Sequence, residues 1–205
     1  LKYFLQKKYH YMNKFIDFYF DFISPYSYLA HKRIRKIQKD KKIKFIYKPI
    51  FLGGLHNLAG ITAPALIKSK KRFLIDDCEM VAKKFKIDFK FNEKFPINSL
   101  SLMRGMLIID NNAKDLFIDS FFDAYWFLNS DLENKENVSE ILKKINIDPV
   151  IFYQNITKQE TKDNLKNITQ QAFDKKIFGA PTFIVNNKIF WGQDRLDYAL
   201  DEYNY

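Results

Sequence analysis

Residues 16–30, IDFYFDFISPYSYLA, change periodicity within a single turn, and that change constrains the chain more than any other stretch. Ile16, Phe18, Phe20 and Phe22 alternate with Asp17, Tyr19 and Asp21, the period of two that marks a β-strand. After Ser24-Pro25, the residues Ala30, Ile34 and Ile37 fall at i, i+4 and i+7, one face of a helix. Serine is a favoured helix N-cap, and proline fits the first helical position. The sequence therefore predicts that Ser24 stands where a strand hands over to a helix. Backbone N–H donors and the positive end of the helix dipole face a group held there, which suits an anion. Capping alone accounts for the same two residues, so this stretch by itself leaves both roles open.

A second patterned stretch lies near the C-terminus, FGAPTFIVNNKIFWGQDRLDYAL. Gly179-Ala180-Pro181 precedes a strand over Thr182–Val185, and Asn186-Asn187 is a hairpin turn because asparagine tolerates positive φ. A second strand, Lys188–Trp191, ends at Gly192 and a short helix follows. The two ends together read β-α-β … α-β-β-α, a thioredoxin-like α/β order. Three motifs carry a resemblance: Ser-Pro-Tyr-Ser at 24–27, Gly-Ala-Pro-Thr at 179–182 and Trp-Gly-Gln-Asp-Arg at 191–195. With them the chain resembles the 2-hydroxychromene-2-carboxylate isomerases and the related kappa-class glutathione transferases, both on the DsbA-like branch of the thioredoxin fold.

Between the ends the pattern is helical. A strand is expected over residues 43–48, ended by Pro49; with the first strand and a helix over 26–39 it forms a right-handed βαβ unit with parallel strands. Leu52-Gly53-Gly54 reads as the start of a loop. Helices are expected near 63–86, 100–111, 113–129, 138–145, 149–156 and 158–176, with Gly179 near the end of the last. The expected organisation is a thioredoxin-like domain from 13–55 and 158–205, a helical insert over 56–157, and a non-native or disordered leader over 1–12. No run of eighteen apolar residues and no secretory signal pattern is seen, so the expected location is cytoplasmic, without membrane.

A hydrophobic fraction of 47% with 17% aromatics excludes a disordered chain. The formal charge of +10 raises nucleic acid as a partner, but lysines and acids are interspersed along the helices, so the excess reads as solvated surface and no nucleic acid is expected. The single cysteine, Cys78, excludes an intrachain disulfide and a Cys-x-x-Cys redox pair. Ser24 and Ser27 stand where a thiol-redox relative carries its two cysteines. Cys78 falls in step with Ile67, Leu74, Val81 and Phe85, a core position for an inert thiol.

The resemblance implies glutathione as cofactor. It places Pro181 in a cis peptide opposite the helix start, so that Ala180 offers its backbone to the extended tripeptide as in strand addition. Trp191, Gly192, Gln193, Asp194 and Arg195 would hold the γ-glutamyl end, Asp194 pairing with the ammonium. Capping for Asp194 and core packing for Trp191 are the competing readings. Ser24 would then meet the sulfur as a thiolate stabiliser, because a free thiol near pKa 8.5 is only ~3% ionised at pH 7. His10, His31 and His56 form no Ser-His-Asp set with it. An anionic aromatic substrate is implied, with Lys48, His56, Asn57 and Asn98 as candidates to meet it; His56 also reads as a surface residue and Asn98 as a cap. No metal site is assigned, and a homodimer is admitted. Three functions follow: a glutathione-dependent isomerase, a kappa-like glutathione transferase, and a non-catalytic thioredoxin-like binding module.

Overall fold

The computed structural model describes residues 14–204, so the expected leader over 1–12 lies outside the described residues. Strand β1 (Ile16–Phe20) runs through the middle of a four-stranded sheet of order β2-β1-β3-β4. β2 (Phe45–Pro49) pairs with it in parallel, Ile16 against Phe45. β3 (Thr182–Val185) pairs antiparallel on the other side, and β4 (Lys188–Trp191) closes the edge. Asn186 and Asn187 have φ of 50° and 63°, both positive as a two-residue hairpin with right-handed strand twist requires. Helix α1 (Pro25–Asp40) carries the chain from β1 towards β2.

The alternation in β1 sorts its side chains onto two faces. Phe18 and Phe20 stack across the strands, Phe18 with Phe183 at 5.4 Å and Phe20 edge-on to Tyr47 at 5.5 Å. Phe20 and Phe22 then meet Phe122 of helix α5 (Asn111–Trp126). Tyr19 faces the opposite side, with Ile50, Leu55, Ala172 and Ile177. That side is covered by α2 (Leu52–Ala59) and α8 (Gln159–Asp174). Between them the chain forms a 3₁₀ turn (Pro64–Leu66), α3 (Lys68–Phe85), α4 (Leu100–Ile108), α6 (Lys135–Lys144) and α7 (Pro149–Thr157); α9 (Leu196–Asn204) ends the described chain. One continuous apolar core joins β1 and β3 to α1, α3, α4, α5, α6 and α7. No described helix is long and apolar enough to cross a membrane.

Three local expectations are corrected. Leu52-Gly53-Gly54 opens a helix, not a loop. The glycines serve a close approach: a Cβ on Gly54 would stand 2.9 Å from the Phe51 ring, which lies over this turn. That helix stops at Gly60, whose left-handed backbone (φ 65°) lets its N–H bond back to His56 and Asn57 carbonyls. Secondly, residues 63–67 are not helical, because Pro64 nucleates a separate 3₁₀ turn. Thirdly, α8 ends at Asp174 and is capped by Lys175, with Lys176 at φ 68°, and Gly179 plays no part in the cap. Cys78 is buried in line with Leu74 and Val81, and burial pushes its thiol well above the usual range, leaving it inert.

A buried indole hydrogen bond ties α5 to the residues just after β1. Trp126, at the end of α5, donates its indole N–H to the Phe22 carbonyl at 2.8 Å. Phe89, Phe91 and Phe95 pack around the indole at 5.9, 5.5 and 5.7 Å. Trp126→Phe should remove that donor, leave a buried carbonyl unpaired and open a small cavity. The expected loss is about 2–3 kcal/mol, read as a lower denaturant midpoint. An unchanged midpoint would show that this bond does not hold the two parts together.

Candidate functional site

Ser24 is 4% exposed and sits at the junction the sequence indicated. Its Oγ accepts from Ser27 N at 3.1 Å, so it caps α1. The same hydroxyl donates to the Ala180 carbonyl at 3.0 Å, across 156 residues of sequence. The Ala180–Pro181 bond is cis, as expected; Phe95–Pro96 is a second cis bond that the sequence reading did not contain. The two ends of the chain thus meet at one serine.

The first turn of α1 leaves one donor over. Pro25 has no N–H, Ser27 N is taken by Ser24 Oγ, and Tyr28 N donates to the Ser24 carbonyl at 3.1 Å. Tyr26 N–H has no acceptor among the described residues and stands beside the Ser24 hydroxyl in the chain. Such a pair is a compact anion holder at the positive end of a helix. The Ser27 Oγ is fully buried without a hydrogen-bond partner among the described residues.

The Trp191–Arg195 segment follows β4. Trp191 is 52% exposed and packs its ring against Phe178 at 4.9 Å, so it lines a surface and is not core. Gly192 adopts φ 108°, which only glycine takes without strain, and a Cβ there would collide with the Asp194 carboxylate. Its N–H donates to the Pro181 carbonyl at 2.9 Å, joining this segment to the cis-proline loop. Asp194 is 58% exposed and pairs with Arg195 at 3.1 Å, so a carboxylate and a guanidinium stand side by side at the rim. Gln193 is buried, and its Oε1 has no partner among the described residues. Arg33, buried on α1, fixes the segment from below: Nη1 donates to the Gln193 carbonyl at 3.0 Å and Nη2 to Asp197 at 2.7 Å.

The substrate candidates are dispersed. Lys48 pairs beside Tyr19, but its ammonium reaches back along the sheet to within 3.7 Å of Asp17. Asn98 is exposed; its Oδ1 accepts from Leu100 N at 3.0 Å and its N–H donates to Glu133, so it shapes the entry to α4. His56 and Asn57 both lie on α2, His56 half-buried with its pKa lowered by burial, Asn57 exposed. Among the described residues, Ser24 makes no hydrogen bond to a histidine. His31 is buried elsewhere, its Nδ1 2.8 Å from the Tyr47 hydroxyl and its Nε2 2.8 Å from Asp119, and burial lowers its pKa so that it is neutral. It pins α1 to β2 and α5. No cluster of metal-ligating side chains occurs among the described residues.

Three residues beside Ser24 were missed. Tyr26 donates to Asp77 of α3 at 2.7 Å, and burial with that carboxylate raises its phenol pKa. Asp21, read as the polar side of a strand, is fully buried. The sequence signal for Asp21 was present, an acid three residues before the serine. Alternation assigned it to a solvent face because the cover on that face comes from distant segments.

Removing Arg33 should loosen the whole Trp191–Arg195 segment. Arg33→Met keeps the apolar stem but leaves the Gln193 carbonyl without its donor, with an expected loss of about 1.5–3 kcal/mol by equilibrium unfolding. Hydrogen exchange at Gly192 and Arg195 should rise with it. Unchanged exchange there would show that the segment holds itself.

Known proteins resemble this chain over most of its length. The chain is 26% identical over 189 residues to 2-hydroxychromene-2-carboxylate isomerase of Sphingobium xenophagum, covering 91% of this chain and 96% of that protein. It is 24% identical over 201 residues to glutathione S-transferase kappa 1 of Caenorhabditis elegans, covering 91% and 89%. A solved 2-hydroxychromene-2-carboxylate isomerase superposes with a TM-score of 0.84 at 25% identity, covering 91% of this chain and 93% of that one. The model of the DSBA-like thioredoxin domain matches residues 15–204, and the chain belongs to that family.

Proposed function

We propose that this protein is a glutathione-dependent isomerase of the 2-hydroxychromene-2-carboxylate isomerase type. The observation that carries this reading is the Ser24 hydroxyl held between the α1 N-terminus and the Ala180 carbonyl, with serine at both redox positions. The likeness to isomerases over nearly the whole chain supports it. The residues fit glutathione. Asp194 and Arg195 present both signs of charge to an α-amino acid end, exposed Trp191 offers an apolar wall, and Gln193 Oε1 is a buried acceptor awaiting a donor.

When bound, glutathione would supply a nucleophilic thiolate for reversible addition to a conjugated aromatic pyruvate. The chain's residues set the conditions. Ser24 has one hydroxyl proton, given to Ala180 O in the structure, and turning it toward a sulfur exchanges that acceptor for an anion. Tyr26 N–H adds a second donor without moving. A charge-assisted hydrogen bond is about twice as strong as a neutral one, so the exchange favours the thiolate. Lowering a thiol by two pKa units takes about 2.7 kcal/mol, within reach of two such donors and a helix terminus. The helices that cover the Ser24 end of β1 would form the aromatic pocket. His56 and Asn57 on α2 are the candidates for the substrate's polar groups; Lys48 and Asn98 have other partners.

Ser24→Ala should remain folded, bind glutathione and fail to ionise it. The thiolate fraction near pH 7 should fall roughly twenty- to thirtyfold if Ser24 supplies most of a two-unit shift. The defect should shrink as pH rises, since solvent then removes the proton. Thiolate absorbance against pH, measured beside turnover of an aromatic pyruvate, checks this. Unchanged absorbance and rate would leave Ser24 as a cap only.

Asp194→Ala should weaken glutathione about tenfold or more, from loss of a charge-assisted contact. Its thermal stability should barely change, because the Asp194–Arg195 pair is a surface one. A large stability loss with unaltered glutathione affinity would remove Asp194 from the site.

A further inference from the structure

Asp21 lies three residues before Ser24, and its carboxyl is wholly enclosed. Oδ1 accepts from Ile23 N at 3.1 Å, inside the turn that presents Ser24. Oδ2 accepts from Leu52 N at 2.8 Å, the first residue of α2. The Ser99 hydroxyl, at the entry to α4, faces the carboxyl and favours its charged form. The Asp21 carbonyl in turn accepts from Ser24 N at 3.1 Å. One carboxylate therefore fastens the Ser24 turn to the helix after β2, with the entry to α4 facing it from a third part of the sequence. A buried aspartate is an expensive fastener, and a neutral asparagine could accept from only one of the two N–H groups.

We propose that Asp21 is a positioning residue, a buried latch whose charged form holds the Ser24 turn, α2 and the start of α4 in the arrangement that binds and activates the thiol. Its activity consequences rest on the glutathione reading; its structural consequences do not. The groups facing it are neutral: the Ile23 and Leu52 N–H groups and the Ser99 hydroxyl. No ionised side chain is among the causes of its shift. Burial outweighs the three donors and pushes its pKa up to about 6. The latch thus loses its charge just below neutrality.

The sign of the linkage gives the latch a signature. A carboxyl raised above its unfolded value binds protons more tightly in the folded state. Asp21 therefore opposes folding at neutral pH, and that opposition fades as pH falls from about 6 towards 4. Protonation leaves the amides facing a weaker acceptor and the hydroxyl a competing donor. Global stability and site order should then move in opposite directions across the same pH range. A merely structural carboxylate would move them together.

The test follows the carboxyl itself. In the full-length protein labelled at aspartate Cγ, the resonance absent from Asp21→Asn should titrate near pH 6. Protection of the Ile23 and Leu52 amides from hydrogen exchange should fall severalfold over that titration. Ser99→Ala, which removes a donor to the charged form, should move the carboxyl titration to higher pH, and the acid limb of kcat/KM with it. Stability of the wild type relative to Asp21→Asn should rise up to about a hundredfold in the folding equilibrium between pH 7 and pH 4. Titration below pH 4.5, or amide protection that ignores the titration, would overturn the latch. So would an acid limb that stays fixed in Ser99→Ala while the carboxyl moves. Absence of any turnover would sink the isomerase reading instead, and the exchange measurements on the wild type and Ser99→Ala would still decide the latch. Those two proteins also suffice if Asp21→Asn does not fold.

Discussion

The hydrogen bond from Ser24 to the Ala180 carbonyl depends on nearly everything else in the molecule. Ser24 is placed by β1 and α1, Ala180 by the approach to β3, and the two strands must pair antiparallel for the groups to meet. The serine then does two jobs with one oxygen, accepting from the helix and donating to the loop. A cysteine in its place would be a weak donor to that carbonyl and a poor cap. Serine therefore builds a more ordered polar junction than cysteine would. What the junction offers is a hydroxyl proton and a free amide, both suited to holding an anion.

Aromatic packing makes that junction rigid. Phe18, Phe20 and Phe22 project from one face of the first strand and its extension into Phe183, Tyr47 and Phe122. Each large ring buries 150–250 Å², far more than a four-stranded sheet of short strands could gain from its ladder. The same rings reach α5, so the helices between β2 and β3 share the core of the sheet. Polar ties fix their orientation: Trp126 to Phe22, Tyr26 to Asp77, and His31 between Tyr47 and Asp119.

Two buried ionisable groups near these ties respond to acid in opposite ways. His31 has its pKa lowered by burial, so the unfolded chain takes up the proton first and stability is lost as pH falls below about 6.5. Asp21 is raised, so its contribution improves over the neighbouring range. A flat overall stability profile would hide both, which is why local probes and not melting curves distinguish them. The exposed charges, by contrast, sit mostly in surface pairs and solvent, in keeping with the interspersed pattern of lysines and acids.

Sequence periodicity determined the strands, the capping serine, the asparagine hairpin and the inert core position of Cys78. Each of these is local, resting on spacing or on the conformational preference of one or two residues. The chain order also showed that two distant motifs had to converge, because a thioredoxin-like sheet leaves no other pairing for β3. Only the tertiary structure decided which polar residues are buried. Asp21 alternates like a solvent-facing strand residue, and its cover comes from Leu52 and Ser99, which no local pattern connects to it. Lys48 carries a plausible charge for a substrate, but its register beside Tyr19 sends it toward Asp17. The helix at Leu52 formed against the glycine signal because the Phe51 ring fills the space that glycine leaves. Backbone preference is written in neighbouring residues; desolvation and pairing depend on what the rest of the chain lays on top.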